Sequence, residues 1–317
     1  MVGRRLILTL VLATLPTVTA AAKPADEANP LVTARLIAAT TAVVPGQSFL
    51  LGVELTMAEG WHVYWKNPGE AGLATAIDWR LPEGFEAGPL RWPVPIRFTM
   101  PGRITAFGYA GEVVLIAFIR VPRDLGDRRQ VTLSANVSWL GCNGTCVPGE
   151  ADVHVTLPVG EGTDSPQADR VRASWTHVPE RLPSHQAAAA VTRPDGRTVD
   201  AEDAQRQLLG HRTGVAYETL EGPYAVHVRW MTHVSHVEWF PDPGPALAVS
   251  DVEVRTDAEK RQTAITFTVR VLKGQKLDRG TMETVVAYTD AKGRRRGVLV
   301  NVPLMAAKHE KPTPAVP

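Results

Sequence analysis

The chain has 317 residues and a formal net charge of +1, because 34 basic residues are interspersed with 33 acidic ones. This balance excludes the basic surface expected of a protein that binds nucleic acid or an anionic membrane. At roughly 150 residues per domain, the length predicts two domains. The 25 prolines and 26 glycines, spread along the chain, indicate many turns.

The N-terminal residues have the order of a secretory signal peptide. Two arginines in MVGRR precede an apolar run, residues 6–15, and small residues follow as far as Ala22. We expect cleavage near Ala20 or Ala22, so that residues 1–22 form the signal peptide. The apolar run is too short for a membrane-spanning helix, which needs roughly 20 apolar residues. An uncleaved anchor is the alternative; we expect the mature chain to be exported and soluble.

Residues 29–160 are predicted to form an all-β domain. Short apolar or alternating runs rich in Val, Ile and Thr are separated by turn signals such as Pro45 and Gly46. Runs of this type include SFLLGVELTM, EVVLIAFIRV, VTLSANVSWL and ADVHVTLPV. No segment between them is long and periodic enough for a crossover helix. The strands are therefore expected to be antiparallel, in a sandwich or a barrel.

A polar, proline-containing segment, residues 161–169, is predicted to link this domain to a second one, residues 170–305. A short helix is predicted to begin near Ala168 and to end near Pro179. Strongly alternating runs follow, with the polar loops DAEKRQ and DAKGRR between neighbouring runs. This pattern predicts a second β-sandwich in tandem with the first. Residues 306–317 are expected to form a disordered tail.

The chain contains only two cysteines, Cys142 and Cys146, in the segment WLGCNGTCVPGE. Strands are predicted on both sides of this segment, and the Asn143 and Gly144 step between the cysteines indicates a tight hairpin. Opposed positions of antiparallel strands lie about 4.5 to 5.5 Å apart, within the range that a disulfide bridges. The sequence therefore predicts a hairpin whose tip can hold a disulfide.

Three interpretations of the cysteine pair stay open at this point. A structural disulfide across so short a loop stabilises a fold by roughly 2 kcal/mol, compared with about 4.7 kcal/mol for a loop of about 100 residues. Exposed short-loop disulfides are more typical of thiol exchange, which favours a redox role. Metal binding has the weakest support, because zinc needs three or four ligands and the nearest other candidates are His62 and His154. Two thiolates can hold Cu(I), so copper is not excluded.

Several motifs around the cysteines occur together and in order: GWHVYWKNPGEAGLATAIDWRLPEGFEAGPLRWPVPIRF, FGYAGEVVLI and VSWLGCNGTCVPGEADVHVTLPV. With these motifs, residues 29–159 resemble the N-terminal periplasmic domain of the disulfide reductase DsbD, and within that family the ScsB-like branch. The segment EWFPDPG, residues 238–244, resembles a further family segment in the second domain.

The resemblance implies an immunoglobulin-like fold and a redox role for Cys142 and Cys146. In that family the two cysteines alternate between a disulfide and a dithiol, and no cofactor or metal is expected. Electrons arrive from a membrane-embedded module and pass to periplasmic thioredoxin-fold proteins. The family shields its cysteines with a mobile cap loop containing aromatic residues, and Phe107 and Tyr109 are the corresponding candidates here. Ordinary packing of these two residues within the sandwich is the alternative.

A complete reductase of this family continues into a membrane domain and a thioredoxin-like domain, and this sequence shows neither. The leading hypothesis is a periplasmic thiol-disulfide exchange protein, a protein-disulfide reductase-like electron carrier whose membrane donor acts in trans. Its expected partners are thioredoxin-fold or other disulfide-bearing proteins, and no nucleic acid. The alternative is a non-enzymatic periplasmic module with a structural disulfide that binds a protein or Cu(I). The association of ScsB-like relatives with copper tolerance keeps that alternative open.

Overall fold

The computed structural model describes residues 31–182, 186–201, 217–277 and 280–307. The predicted signal peptide, residues 1–22, lies outside the described residues, as do residues 308–317 of the predicted tail. β-strands account for most of the described chain. Within the described ranges, no helix combines the length and the apolar character needed to cross a bilayer.

Two antiparallel sheets form the first sandwich. In chain order its strands are β1 (Val32–Ala38), β2 (Ser48–Met57), β3 (His62–Gly69), β4 (Ala76–Arg80), β5 (Glu86–Ala87), β6 (Ile96–Met100), β7 (Ile104–Ala110), β8 (Glu112–Arg120), β9 (Gln130–Asn143) and β10 (Thr145–Pro158). The first sheet has the order β1-β2-β8-β5. The second has the order β10-β9-β3-β7-β6, and β4 pairs with the middle of β9, residues 134–138. A short 3-10 helix, Pro101–Arg103, connects β6 to β7.

The core of the first sandwich follows from side-chain alternation along its strands. In β9, every second residue from Val131 to Val137 points inward and is buried. β8 is instead apolar on both faces, because Val113 and Leu115 face the core while Val114 and Ile116 face a helix on the outside of the sheet. A strand covered on both faces needs an almost continuous apolar run, and the sequence EVVLIAFIR provides one.

That helix is α1 (Ala168–Trp175), and it packs on the first sandwich. Arg170 of α1 forms ion pairs with the buried Glu54 of β2, over 2.7 Å, and with Glu112 of β8, over 2.6 Å. The sequence expectation assigns residues 170–175 to the second domain. The structure differs because the apolar face of α1, which includes Val171, covers the outer face of β8.

The second sandwich also consists of two sheets. Its strands are β11 (Glu180–Arg181), β12 (Ala187–Thr192), β13 (Thr198–Asp200), β14 (Tyr217–Thr219), β15 (Gly222–Trp230), β16 (Val234–Asp242), β17 (Leu247–Asp257), β18 (Gln262–Val271), β19 (Thr281–Asp290), β20 (Arg295–Pro303) and β21 (Met305–Ala307). The sheets have the orders β11-β20-β19-β16 and β13-β12-β15-β18-β17. β14 and β21 form a separate pair, so regular structure extends two residues into the predicted tail.

The two sandwiches form one compact unit. Three side chains of the second sandwich, Phe240, Val285 and Ala287, are buried within the core of the first. In the described part of the chain, neighbouring labelled strands are antiparallel, except that β11 and β20 run parallel over two residues. The prediction of an all-β chain with two antiparallel sandwiches in tandem is confirmed.

Candidate functional site

The long hairpin of β9 and β10 contains both cysteines. Its register pairs Asn143 with Thr145 and Cys142 with Cys146, and Gly144 occupies the turn with a φ of 69°. This left-handed conformation favours glycine, which has no Cβ to clash with the backbone. The predicted hairpin is confirmed, and a disulfide joins the two cysteines with their Cα atoms 4.2 Å apart.

The two cysteines differ in their access to solvent. Cys142 is only 1% exposed, whereas Cys146 is exposed. Cys142 lies on the inner strand β9, where it also pairs with His62 of β3. Cys146 lies on β10, the edge strand of the sheet. Because thiol exchange needs access to the attacked or attacking sulfur, a partner sulfur can reach Cys146 before it can reach Cys142.

A buried tyrosine hydroxyl contacts both sulfurs. Tyr64, on β3, is fully buried, and its hydroxyl donates a hydrogen bond to Cys142 Sγ over 3.2 Å. The same oxygen lies 3.9 Å from Cys146 Sγ and 3.5 Å from Met100 Sδ. Burial raises the pKa of the Tyr64 hydroxyl, which therefore keeps its proton at neutral pH. This donor can stabilise negative charge on Cys142 Sγ when the disulfide opens.

Apolar side chains surround the tyrosine and the buried cysteine. The centre of this cluster consists of Tyr64, Ala106 and Cys142, and its partly buried rim consists of Phe98, Met100 and Leu140. Gly72, in the loop after β3, lies against the Tyr64 ring: an added Cβ would lie 2.3 Å from Tyr64 Cε1. Gly72 also has a φ of 114°, a conformation that side chains other than hydrogen rarely allow. The tyrosine ring is thus enclosed by the sheet on one side and by this loop on the other.

A buried histidine lies beside the same cluster. His62 stacks on Phe98 with ring centroids 4.2 Å apart and meets the Tyr64 ring edge-on at 5.5 Å. Its Nε2 atom is buried and has no hydrogen-bond partner among the described residues. Burial lowers the pKa of His62, because charge on a desolvated imidazole is costly. The ring is therefore neutral at pH 7.

The buried His62 predicts a loss of stability in acid. The unfolded chain binds a proton on this histidine at about pH 6.5 and the folded chain only at a lower pH, so the unfolded state binds more protons in between. The free energy of unfolding should fall as the pH drops below about 6.5. We expect His62→Phe to lose less stability than the wild type between about pH 8 and about pH 5, measured by urea unfolding.

The exposed His154 on β10 provides the matched control. His154→Phe makes the same chemical replacement at an exposed position, so it measures the effect of the substitution itself on the pH profile. Parallel pH profiles for His62→Phe and the wild type would contradict the assignment of the acid sensitivity to His62.

Residues 31–158 match the family model described as "Thiol:disulfide interchange protein DsbD, N-terminal". This segment belongs to the DsbD N-terminal domain family. The match covers the first sandwich with both strands of the cysteine hairpin, so the resemblance seen in the motifs is confirmed. The Cys142–Cys146 disulfide thus lies in a domain of a thiol-disulfide interchange family. No match was found among curated proteins.

One of the similar solved structures shows how far the shared fold extends. The N-terminal periplasmic domain of ScsB from Proteus mirabilis matches with a TM-score of 0.56 and 17% sequence identity, covering 87% of this chain and 95% of that one. This likeness of fold includes both sandwiches. Collagen adhesin from S. aureus, at 9% identity, covers 87% of this chain and 94% of its own with a TM-score of 0.20. A marsupial T cell receptor, at 12% identity, covers 85% and 96% with a TM-score of 0.15.

Within the DsbD N-terminal domain, the two candidate cap residues lie away from the disulfide. Phe107 and Tyr109 are on β7 and are each 6% exposed in the core of the sandwich. Phe107 packs against Phe240 of the second sandwich, with ring centroids 5.1 Å apart. The Tyr109 hydroxyl donates to the carbonyl oxygen of Pro93 over 2.7 Å, and burial raises its pKa well above the usual value. These are positions of ordinary core packing.

Sequence reasoning missed the side chains that do surround the disulfide in the DsbD N-terminal domain, namely Tyr64, Phe98 and Met100. They belong to β3 and β6, which are distant in sequence from the cysteines. One signal was present: alternation in the motif GWHVYWKN places His62 and Tyr64 on one face of a strand. The sequence pattern marks His62 only as a possible metal ligand. Across the described ranges, no three His, Cys, Asp or Glu side chains are grouped closely enough to hold a metal ion.

Proposed function

We propose that the protein is a periplasmic thiol-disulfide exchange protein that passes reducing equivalents to disulfide-bearing partners, among them thioredoxin-fold proteins. The proposal is supported by family membership and by the disulfide at the tip of a hairpin. The observation that carries it is the unequal exposure of the pair: Cys146 is exposed and Cys142 is 1% exposed. A two-cysteine exchange cycle needs one sulfur that meets the partner and a second that waits beside it.

In the first step, the Cys146 thiolate attacks a disulfide of the partner. The partner's S–S bond breaks, a new bond joins Cys146 Sγ to the partner, and the released partner thiolate takes up a proton. In the second step, the Cys142 thiolate attacks Cys146 Sγ, so that the Cys142–Cys146 disulfide closes and the second partner sulfur leaves as a thiolate, which takes up a proton. The pair has then given two electrons and two protons to the partner.

The oxidised pair is reduced again by the reverse chemistry. One thiolate of a dithiol in a separate membrane protein attacks Cys146 Sγ, and Cys142 leaves as a thiolate. The donor's second thiolate then attacks the donor sulfur bonded to Cys146, which closes the donor disulfide and releases Cys146; both cysteine thiolates are then free to take up protons. The neutral Tyr64 hydroxyl, 3.2 Å from Cys142 Sγ, stabilises this leaving group by a hydrogen bond. Exchange is faster when the leaving thiol has a low pKa. Tyr64 therefore favours attack at Cys146 Sγ, which joins Cys146 to the donor and releases Cys142.

Redox equilibration tests the proposal. The purified wild type is incubated in glutathione buffers of defined ratio, and free thiols are counted after acid quenching. Exchange proteins have reduction potentials from about −270 to about −120 mV, and we expect the pair to be half reduced within that range. A pair that stays oxidised below about −300 mV would behave as a structural bridge and contradict the proposal.

A transfer assay tests the direction of electron flow. The reduced wild type is mixed with an oxidised thioredoxin-fold protein, and the redox states of both are read by thiol alkylation and mass. We expect two thiols to appear on the partner for each pair oxidised. A double Cys142→Ser, Cys146→Ser variant serves as the control and should transfer nothing.

A further inference from the structure

The second sandwich contacts β3 directly after Tyr64. The Lys66 ammonium forms ion pairs with Asp242 of β16, over 2.9 Å, and with Glu283 of β19, over 2.5 Å. The side-chain amide of Asn67 donates to the carbonyl oxygen of Pro241 over 2.6 Å. These groups are partly buried, which shields the ion pairs from water more than a fully exposed pair would be.

An aromatic side chain of the second sandwich is the centre of this contact. Phe240 of β16 has no exposed surface and lies in the core of the first sandwich, with its ring centroid 6.4 Å from that of Trp65 and 5.1 Å from that of Phe107. The guanidinium groups of Arg97 and Arg295 each lie 5.8 Å from its ring centroid. Phe240 belongs to the segment EWFPDPG, which resembles a segment of the family. The sequence alone does not indicate what this segment contacts.

Residues 65–68 of β3, the part that the second sandwich contacts, are not regularly paired with the neighbouring strand β7. Tyr64 pairs with Gly108 of β7, but the next pair is Gly69 with Ala106, so the register shifts between them. Residues 65–68 are therefore without a paired residue on β7 in the described ladder. Backbone outside a ladder depends on other contacts for its position. Here those contacts come from the second sandwich.

Phe240 is thus linked to the disulfide by a short path. Trp65, which packs on Phe240, is the direct neighbour of Tyr64, whose hydroxyl donates to Cys142 Sγ. Arg97, over the same phenylalanine ring, is the direct neighbour of Phe98, which belongs to the cluster around the cysteine. One side chain of the second sandwich therefore contacts the residue after Tyr64 on β3 and the residue before Phe98 on β6.

We propose that the second sandwich positions the redox site, with Phe240 as a positioning residue that holds Tyr64 in hydrogen-bonding distance of Cys142. The inference rests on the proposed exchange function and assigns a role in it to the second sandwich. When a thiol attacks Cys146 Sγ, the Cys142 thiolate leaves, and the held Tyr64 hydroxyl stabilises it. Loss of Phe240 loosens residues 65–68 and weakens that hydrogen bond.

The test measures the second-order rate constant for reduction of the Cys142–Cys146 disulfide by glutathione in the full chain at about pH 7. We expect Phe240→Ala to lower this rate about fivefold, the effect of losing one net hydrogen bond. Tyr64→Phe should lower it by a similar factor. If Phe240 acts through Tyr64, the double variant should be no slower than Tyr64→Phe alone, because coupled residues are not additive.

Two variants serve as controls. Ile265 is fully buried in the core of the second sandwich, on the sheet that has no residue in the core of the first. Ile265→Ala should leave the rate unchanged although it removes buried volume. Phe240→Leu keeps most of the apolar volume and should keep the rate within about twofold of the wild type.

Three outcomes would overturn the inference: an unchanged or faster rate in Phe240→Ala, an equal loss in Ile265→Ala, or additive losses in the double variant. If Phe240→Ala does not fold, Asn67→Asp replaces it. That change keeps the acceptor for the amide of Gly69 but removes the donor to Pro241, and an unchanged rate would again overturn the inference.

Hydrogen exchange provides a second reading. Amides of residues 62–67 should exchange faster in Phe240→Ala than in Ile265→Ala, and equal exchange would count against a positioning role. Failure of the wild type to reduce a thioredoxin-fold partner would instead reject the proposed function. The glutathione rates would still decide whether Phe240 controls the reactivity of the disulfide.

Discussion

Replacing Cys142 with serine should trap a covalent complex between the protein and its partner, whereas replacing Cys146 should trap none. In the proposed cycle the exposed Cys146 forms the mixed disulfide, and the buried Cys142 is the resolving thiol that would release it. Without Cys142 the mixed disulfide persists. The species is measured as a reducible high-mass band in alkylated extracts of cells that express the variant, and its partner is identified by mass spectrometry.

Both single variants should lose net electron transfer to background, because the complete cycle needs two sulfurs. The double serine variant controls for bands unrelated to the pair. A complex trapped through Cys142 in Cys146→Ser, at a yield equal to that in Cys142→Ser, would contradict the order of attack derived from burial. Absence of any complex in either variant would contradict the exchange function.

Removing both arginines that contact Glu54 should destabilise the fold by about 3 kcal/mol, the cost of a buried charge without a partner. Glu54 is 4% exposed and accepts from Arg35 over 2.5 Å and from Arg170 over 2.7 Å. The two arginines are themselves about half exposed, so each single replacement leaves one partner and should cost only about 1 kcal/mol. Urea unfolding of Arg35→Ala, Arg170→Ala and the double variant measures these differences.

A third substitution separates charge from packing. Glu54→Gln in the double variant removes the stranded carboxylate while keeping its shape, and most of the lost free energy of unfolding should return. The amide still needs a hydrogen-bond partner, so the recovery is expected to be incomplete. A triple variant as unstable as the double variant would mean that the arginine stems, packed over the outer face of the sheet, account for the loss.

The hairpin was predictable because its determinants are local. Alternation in β9 and the Asn143 and Gly144 step between the cysteines define which residues oppose each other, and Cys142 opposite Cys146 follows from that register. The signals in β8 were equally local, since apolar residues on both faces require covers on both sides. The sequence of β8 does not indicate which element covers its outer face; in the structure that element is α1.

The surroundings of the disulfide were not predictable in the same way. Tyr64 lies 78 residues before Cys142, and its hydroxyl reaches the sulfur because β3 pairs with the tip of β9. Phe107 has the same aromatic character and lies nearer in sequence, yet its side of β7 faces the core and Phe240. Tyr64 pairs with Gly108, so Phe107 is one position away along β7 and lies on the opposite face of the sheet. A difference of one position along a strand thus decides which aromatic side chains face the sulfurs.

By itself, the amino-acid sequence determined the class of fold, the family of the first sandwich and the pair of sulfurs, because each depends on residue types at short spacing. Only the tertiary structure decided which cysteine is exposed, which hydroxyl contacts the buried one, and where the segment EWFPDPG lies. Those properties depend on which strand is at a sheet edge and which strands are neighbours. Strand neighbours are set by contacts between residues far apart along the chain, which local patterns do not encode.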